Sequence, residues 1–358
     1  MYIAQIAPLC EAVPPLLYGG TERVIAYLCD ALVALGHDVT LFAAADSRTR
    51  ARLIAVRDRA IRLDATPLKC DLAASLTMLS EAKQRSARFD ILHFHTHLLH
   101  FPLFEPLAHR TVTTLHGRVD LKDLPAAYAR WPGFGLVSVS ESQRKSLPGA
   151  RWLATVGHGL PASHYEVTAR PEGSYLAFLG RIAPEKRPDL AVRLALRAGV
   201  PLRLAAKVDD TNRSYFEAVV QPLFAHPGIE FLGEIADAQK SGFLGNARAL
   251  LFPIDWPEPF GLVMIEALAC GTPVIAWNHG SVPEVIDEGV TGFIVNSEEA
   301  ALQAIARVHL LDRRRIREVF EQRFSATAMA RAYVDVYTRV LDEARWECVR
   351  TASCASCS

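Results

Sequence analysis

The stretch from Pro253 to Val295 constrains this chain of 358 residues more than any other. It predicts, in order, a loop, a buried helix, a strand, a second loop, a short helix and another strand. Prolines such as Pro257 and Pro259 exclude regular structure from the first loop, because proline lacks an amide N–H and fixes φ. Gly271 ends the helix in the way that glycine ends many helices. Such close alternation of strands and helices indicates an α/β protein with a parallel sheet.

The first loop and its helix offer two kinds of contact to a ligand. The helix that follows Gly261 presents unpaired N–H groups and the positive end of its dipole, which together favour a phosphate. Glu258 lies in the loop and Glu266 lies about two turns into the helix. Carboxylates accept hydrogen bonds from sugar hydroxyls. Amides for phosphate and carboxylates for hydroxyls together predict a nucleotide-sugar site.

The same residues carry a family resemblance. Seven residues separate Glu258 from Glu266, with Pro-Phe-Gly after the first and Ala-x-Ala-x-Gly-x-Pro-Val-Ile-Ala after the second. This run resembles the donor signature of the retaining glycosyltransferases of family 4. The resemblance implies the GT-B fold, in which two Rossmann-like parallel-sheet domains face each other across a cleft and a C-terminal helix crosses back.

The length of the chain is also typical of two domains. We predict an acceptor-side Rossmann-like domain over 1–165 and a donor domain over 166–330. A helix over 331–346 should return to the first domain, and we predict a mobile tail over 347–358. The run Gly157–Pro161 occupies the usual linker region of the family, although it departs from the family's sequence there.

Basic residues follow the first strand of the donor domain. Arg181 and Lys186 are separated by a turn, so both can converge on one anion. Their Gly-Arg…Glu-Lys pattern resembles the diphosphate clamp of family 4. A surface ion pair with Glu185 is the alternative interpretation. Lys207 follows the next predicted strand and is expected to reach the phosphates or the donor sugar.

Two further signals lie in the N-terminal half. Gly19 and Gly20 precede a helix that Thr21 can cap, and a glycine pair there is a weak phosphate signal. His116 ends a predicted strand and precedes Gly117; ligands of open parallel sheets bind at such strand ends. The resemblance implies that the glycine pair faces the donor phosphates and that His116 hydrogen-bonds the donor sugar.

The resemblance supplies the remaining roles. Glu266 would hold the ribose hydroxyls and Glu258 the sugar hydroxyls, while the loop after the strand 229–233 would pass the nucleobase. The residues expected to act in catalysis are Arg181, Lys186, Glu258 and His116. The residues expected to bind the donor are Gly19, Gly20, Lys207, Glu234, Ile235, Phe260, Gly261, Leu262 and Glu266.

Family 4 enzymes retain the anomeric configuration by attack on the same face, without an enzyme nucleophile, and the departing diphosphate is stabilised by basic side chains and helix ends. We therefore expect no metal and no cofactor, since the nucleotide-sugar is a substrate. His93, His95 and His97 alternate in a predicted strand and could ligate a metal. The resemblance instead favours an ordinary strand, with one of them or His100 lining the acceptor cleft.

Composition excludes other classes of function. Lysine plus arginine and aspartate plus glutamate each number 39, so the formal net charge is zero and a nucleic-acid partner is not expected. No apolar run is long enough for a membrane span, and no signal peptide is evident, so we expect a cytoplasmic protein. The arginine-rich segment 46–64 predicts a solvated helix face or loop; contact with an anionic acceptor or with lipid headgroups, and hence peripheral membrane binding, is the alternative.

The cysteines are expected to have no chemical role. Cys10, Cys29, Cys70 and Cys270 have apolar neighbours and predict buried thiols. Cys354 and Cys357 have the spacing of a metal site, but too few ligands lie nearby to favour one.

We therefore predict a hexosyltransferase that moves a hexose from a nucleotide-sugar to a hydroxyl acceptor. UDP-glucose is the favoured donor and GDP-mannose remains open; the acceptor is a growing polysaccharide, a lipid-linked sugar or a small metabolite. The alternatives are a non-catalytic nucleotide-sugar-binding protein, a GT-B epimerase and a Rossmann-type oxidoreductase. The oxidoreductase requires Gly-x-Gly-x-x-Gly after the first strand, and this chain lacks it.

Overall fold

The chain forms two compact units. The structure, a computed structural model, describes residues 1–16, 19–171 and 173–355, with side chains as far as residue 346. The N-terminal unit comprises Met1–Gly159 and, from the other end of the chain, Ala326–Ser358. The C-terminal unit comprises Leu160–Ser325.

In its described residues, the N-terminal unit has a seven-stranded parallel sheet of order β3-β2-β1-β4-β5-β6-β7. Its central strands are short apolar runs, as expected where helices cover both faces of a parallel sheet; every residue of β5 is buried. The strands are β1 (Tyr2–Ile6), β2 (Asp38–Ala44), β3 (Arg52–Arg57), β4 (Ile91–Phe94), β5 (Thr111–Leu115), β6 (Gly135–Ser138) and β7 (Trp152–Thr155). The helices are α1 (Gly20–Ala34), α2 (Asp71–Gln84), α3 (Phe101–Phe104), α4 (Leu124–Ala129) and α5 (Glu141–Arg144).

The described part of the C-terminal unit has a six-stranded parallel sheet of order β10-β9-β8-β11-β12-β13. The strands are β8 (Leu176–Arg181), β9 (Leu202–Lys207), β10 (Ile229–Gly233), β11 (Ala249–Phe252), β12 (Val274–Trp277) and β13 (Gly292–Val295). The helices are α6 (Pro188–Ala198), α7 (Arg213–Tyr215), α8 (Asp237–Gly245), α9 (Leu262–Ala269), α10 (Val282–Val285), α11 (Glu298–Arg307) and α12 (Arg313–Arg323).

The last helix, α13 (Ala326–Ala355), belongs to the N-terminal unit. Tyr333 and Tyr337 lie one turn apart on its buried face and are almost completely shielded from solvent. The prediction of two Rossmann-like parallel sheets with a C-terminal helix that returns to the first domain is therefore confirmed. The predictions for the side chains of Cys354 and Cys357 lie outside the described residues.

Three local predictions were wrong. The segment 46–64 contains a strand, β3, because its Ile54 and Val56 side chains, two residues apart on one face, pack against the core of the unit although arginines flank them. Helix α1 begins at Gly20 with Gly19 as its N-cap, so Thr21 lies inside the helix and does not cap it. Cys10 and Cys70 are exposed rather than buried, and the Cys70 sulfur accepts a hydrogen bond from the Ala73 amide at the start of α2.

Candidate functional site

Two predicted cations lie side by side at the carboxyl edge of the C-terminal sheet. Arg181 and Lys207 end β8 and β9 and are partners in their register. Asp209 lies between their side chains: one of its oxygens is 3.6 Å from Nη1 of Arg181 and the other is 3.1 Å from Nζ of Lys207. Arg181 also donates to Glu185, at 3.3 Å. Both cations are therefore neutralised by carboxylates, and the alternative pairing of Arg181 with Glu185 is present as well.

Lys186 and Glu258 form a direct ion pair, although they are 72 positions apart in the chain. Their side chains are only 15% and 11% exposed. Trp256 donates its indole N–H to Glu258 at 2.9 Å, and the Lys186 ammonium lies 4.9 Å from the centroid of the same indole. The sequence predicted these two residues for different parts of a donor, and the structure brings them together.

The loop that carries Glu258 is held against the loop after β12. Gly280 has a φ of 57°, and a Cβ at this position would lie 2.3 Å from the Glu258 carbonyl oxygen, so a side chain cannot be accommodated. The Ser281 amide donates to the Glu258 carbonyl at 3.0 Å, and the Ser281 hydroxyl donates to the Phe260 carbonyl at 2.8 Å. Gly261, with a φ of 77°, then begins α9 at Leu262.

Glu266 lies on α9 and is 4% exposed. Lys240 of α8 donates to its Oε1 at 2.8 Å, and the Tyr165 hydroxyl donates to the same oxygen at 3.3 Å. Lys240 also pairs with Asp237 at 2.9 Å. Sequence reasoning missed Lys240, Tyr165 and Asp209 as members of the site.

The predicted nucleobase contacts, Glu234 and Ile235, directly follow β10. Glu234 is exposed, and Ile235 lines a cavity of about 700 Å³. Other walls of this cavity come from Ser174, Pro201 and Gly228, which precede β8, β9 and β10. Ile235 therefore shares a cavity with residues from the amino ends of those strands.

In the N-terminal unit, Gly19 is the N-cap of α1 and Gly20 is its first residue, and residues 17 and 18 before them lie outside the described part of the chain. His116 directly follows β5 and is partly exposed. Its Nε2 lies 2.8 Å from Nδ1 of His95, and its ring stacks on His158 at a centroid distance of 5.2 Å. Burial and the neighbouring His158 hold the pKa of His116 well below its usual value, so the ring is neutral.

The other histidines do not form a metal site. His93 and His95 are buried, and burial lowers the pKa of His93 to about 3. His97 lies beyond the end of β4 with a φ of 51°, so the three alternating imidazoles do not share a strand face. Within residues 1–16, 19–171 and 173–355, no group of three His, Cys, Asp or Glu side chains is arranged to hold a metal. His100 is fully buried and stacks on Phe94, so it does not line a cleft.

Comparison with known families decides the assignment. The family model described as Glycosyltransferase Family 4 matches residues 18–159, and the model described as Glycosyl transferases group 1 matches residues 163–323. The chain belongs to glycosyltransferase family 4. The resemblance on which the cations, the carboxylates and the histidine described above were predicted is therefore confirmed.

Individual relatives agree with the assignment. This chain is 32% identical over 168 residues to D-inositol 3-phosphate glycosyltransferase of Mycobacterium tuberculosis (strain H37Rv), a match that covers 46% of the chain and 33% of the relative. It thus matches only about a third of the length of that relative. AviGT4, involved in avilamycin A biosynthesis, has a TM-score of 0.75 with 22% identity, over 95% of this chain and 98% of AviGT4. Anabaena HepE in complex with UDP-glucose has a TM-score of 0.70 with 17% identity, over 95% of this chain and all of HepE.

No helix among the described residues combines the length and apolarity that a membrane span requires.

Proposed function

We propose that this glycosyltransferase moves a hexose from a nucleotide-sugar, with UDP-glucose as the donor, to a hydroxyl acceptor. We propose further that the transfer retains the anomeric configuration and uses no bound metal. The observation that carries this proposal is that three cations of the C-terminal unit are paired with carboxylates: Arg181 and Lys207 with Asp209, and Lys186 with Glu258.

Each of the three cations is held by a carboxylate that a diphosphate can replace. Asp209 contacts both Arg181 and Lys207, while Glu258 contacts Lys186. A diphosphate carries more charge and more acceptor oxygens than one carboxylate, so it can take over these contacts and release the carboxylates. Once released from Lys186, the Glu258 carboxylate can accept hydrogen bonds from hydroxyls of the donor sugar.

The same cations account for the chemical step. When the bond from the anomeric carbon to the diphosphate breaks, negative charge grows on the leaving oxygen. Fixed cations near this oxygen stabilise the transition state more than the ground state, which is the requirement for catalysis. In same-face transfer, the leaving phosphate accepts the proton of the attacking hydroxyl, and Glu258 is a binding group rather than a nucleophile.

Glu266 has the right surroundings for the ribose. It is buried, and its Oε1 accepts hydrogen bonds from Lys240 and from the Tyr165 hydroxyl. The ribose hydroxyls are proposed to hydrogen-bond to this carboxylate, which Lys240 holds in position. His116 of the N-terminal unit is proposed to contact a sugar hydroxyl.

The choice of donor and acceptor draws on relatives. The complex of HepE with UDP-glucose supports a UDP-hexose donor. The name D-inositol 3-phosphate glycosyltransferase supports a small polyol phosphate as a further acceptor class, beside the growing polysaccharide, the lipid-linked sugar and the small metabolite expected from the sequence.

The first test is a thermal-shift panel of UDP, GDP, ADP and their hexoses, with NAD(P) included. A bound ligand at a hundred times its Kd stabilises the fold by about 2.7 kcal/mol. We expect a shift with UDP and UDP-glucose, and a smaller shift in Glu266→Ala. The control is Glu318→Ala, which removes an exposed carboxylate paired with Arg315 and should leave the shift unchanged.

Product analysis tests the finer statements. Transfer from UDP-glucose to an acceptor panel, followed by NMR of the anomeric proton, should show retained configuration. The rate should be the same with EDTA as with Mg²⁺. A shift with NAD(P) alone would favour the oxidoreductase, and donor binding without any transferred hexose would favour a non-catalytic binding protein.

A further inference from the structure

A chain of buried hydrogen bonds connects α13 to His116 in the N-terminal unit. The Gln5 carboxamide on β1 donates to the Tyr337 hydroxyl at 3.1 Å, and its oxygen lies 2.8 Å from Nε2 of His95. Nδ1 of His95 then lies 2.8 Å from Nε2 of His116. Gln5, His95 and Tyr337 are all at most 3% exposed, so no solvent competes for these contacts.

The Gln5 side chain determines which atoms donate along this series of hydrogen bonds. Because the Gln5 oxygen can only accept, Nε2 of His95 must carry the proton. A neutral imidazole has one N–H, so Nδ1 of His95 is an acceptor, and Nε2 of His116 must donate to it. Burial keeps the pKa of both rings well below the usual value, which excludes the doubly protonated forms. His116 is thereby left with a bare lone pair on Nδ1.

The hydrogen bonds from Tyr337 through His93 to Thr114 also have one consistent direction. The Tyr337 hydroxyl, which accepts from Gln5, can donate to Nδ1 of His93 at 2.7 Å. Nε2 of His93 then donates to the Thr114 hydroxyl, also at 2.7 Å. Each group in the network therefore has one consistent role, and the orientation of the Gln5 amide sets the direction of the whole.

The Gln143 side chain fixes the backbone on both sides of His116. The Gln143 side chain donates through Nε2 to the carbonyls of Leu115 and Gly117, at 2.8 Å each. These carbonyls flank His116 on both sides. Gln143 is itself anchored, because its oxygen accepts from the Val139 amide at 2.9 Å.

Nδ1 of His116 has no hydrogen-bond partner among the described residues, although it is shielded from solvent. A buried polar atom without a partner destabilises the structure, because it has lost its hydrogen bonds to water and gained none from the protein. A ligand hydroxyl that donates to this nitrogen would remove that destabilisation.

We propose that Gln5 and His95 are positioning residues that hold His116 in the Nε2–H tautomer, so that Nδ1 accepts a hydrogen bond from a hydroxyl of the sugar substrate. This inference rests on the proposed function for the identity of the ligand. An imidazole in the other tautomer would present an N–H and would compete as a donor with the hydroxyl proton. The series of hydrogen bonds from Gln5 through His95 to His116, called the relay below, thus selects ligands that present a hydroxyl donor to Nδ1 of His116.

The tautomers of His95 and His116 are measured on the intact protein, labelled with ¹⁵N-histidine and without substrate. Two-bond ¹H–¹⁵N correlation spectra show which ring nitrogen carries the proton. The variants His95→Asn and His116→Asn assign the signals. We expect both rings in the Nε2–H form. Gln5→Met removes the acceptor with little change in volume and should give mixed tautomers at both rings. Gln5→Glu keeps an acceptor oxygen beside His95 and should restore the Nε2–H form.

Kinetics give the second readout. In Gln5→Met we expect kcat/KM for the nucleotide-sugar to fall about tenfold, the usual value of one hydrogen bond of roughly 1.4 kcal/mol, while the affinity for sugar-free UDP stays unchanged. Thr113→Val is the matched control, because it removes a buried hydroxyl that contacts His100, outside the relay. It should change neither the tautomers nor kcat/KM.

An Nδ1–H form of His116 in the wild-type protein would overturn the relay, as would tautomers that do not respond to Gln5→Met. The expected tautomers together with an unchanged kcat/KM in Gln5→Met would overturn the role in binding. Failure of the wild-type protein to transfer any hexose would instead refute the proposed function and the sugar as ligand, a result that the substrate-free spectra do not depend on.

Discussion

The two units use polar side chains in opposite ways. The polar cluster of the N-terminal unit is neutral: it consists of imidazoles, hydroxyls and an amide joined by hydrogen bonds around His93 and His95. The polar cluster of the C-terminal unit is charged: Arg181, Lys186 and Lys207 are each paired with a carboxylate. One unit joins its polar side chains by hydrogen bonds between neutral groups, and the other joins them by ion pairs.

The physical costs of the two designs differ. A neutral hydrogen-bond network loses stability when its members gain a proton, so it is sensitive to pH near the pKa of free histidine. A cluster of paired charges loses stability when one partner is removed, because the other charge is left in a poorly solvated place. This difference can be tested by removing a charge from one unit and by adding protons to the other.

The largest effect is expected from Lys186→Ala. The substitution removes a cation that is proposed to stabilise the leaving diphosphate, and loss of one such group lowers kcat by about 10²–10³. It also leaves Glu258 buried without its ammonium partner, so the melting temperature should fall. Steady-state kinetics with UDP-glucose and a thermal melt measure the two effects.

A second substitution separates the two effects of Lys186→Ala. Adding Glu258→Gln should recover the melting temperature, because the unpaired charge is gone, but it should not recover kcat. Arg197→Ala, which breaks exposed pairs with Glu298 and Glu299, is the control and should leave kcat unchanged. A normal kcat in Lys186→Ala would contradict the role of this cation.

The next largest effect is expected from pH. Burial lowers the pKa of His93 and of His158 to about 3, and it holds those of His95, His100 and His116 well below the usual 6.5. The unfolded chain therefore binds more protons than the folded chain below pH 6.5. The stabilisation is fully present above that pH and is lost as the pH falls, by roughly 1.4 kcal/mol per pH unit for each such histidine.

The contributions of Glu22 and Asp189 to stability depend on pH differently from those of the histidines. Burial raises the pKa of Glu22, so its protonation on acidification stabilises the folded state. This offsets part of the stability that the histidines of the N-terminal unit lose. In the C-terminal unit, burial would raise the pKa of Asp189, but hydrogen bonds from Arg187 and Tyr215 lower it below 3.8, so its contribution is lost only in stronger acid. Hydrogen exchange is measured at pH 7 and at pH 5 and corrected for intrinsic exchange rates. Protection at pH 5 should be lost only in peptides of the N-terminal unit. An equal loss of protection in both units would contradict the comparison.

A smaller effect is expected from Lys240→Met. The variant keeps the aliphatic stem but removes the charge that holds Glu266, so the carboxylate loses its fixed position for the ribose. We expect KM for the nucleotide-sugar to rise about tenfold, the equivalent of roughly 1.4 kcal/mol, with kcat nearly unchanged. A change in kcat with an unchanged KM would assign Lys240 to the chemical step instead.

The smallest effect is expected from Asp209→Asn. Asp209 neutralises Arg181 and Lys207 in the absence of a diphosphate, so its removal should make UDP bind more tightly. Since the three side chains are 27–29% exposed, we expect a gain of only about threefold to fivefold, or roughly 1 kcal/mol, and smaller still at high salt. Calorimetry at two salt concentrations measures it, and weaker binding would show that Asp209 itself contacts the ligand.

The sequence predicted those parts of the site that lie in one short run of the chain. Arg181 and Lys186 share a turn, and Glu258 and Glu266 share a loop and its helix, so their relation is visible in the spacing. Lys240 could not be found in this way, because its contact with Glu266 depends on how α8 packs against α9.

The same limit applies to the fold. Apolar runs predicted most strands of both sheets, because a parallel sheet is buried on both faces. The strand β3 was missed, since Arg52 and Arg57 at its ends gave the segment the composition of a solvated region. The relay from Gln5 through His95 to His116 joins three separate strands or their ends, and its register is set only when the sheet forms.

The return of α13 to the N-terminal unit also determines the order in which the chain can fold during synthesis. The C-terminal unit, Leu160–Ser325, is contiguous and can complete its core once its last residue has left the ribosome. The N-terminal unit is made first, but it must wait for Tyr333 and Tyr337, which are made after the whole of the other unit. Until then, Gln5 and His93 lack the hydroxyl that joins them, so the N-terminal unit cannot complete its buried network before the C-terminal unit has been synthesised.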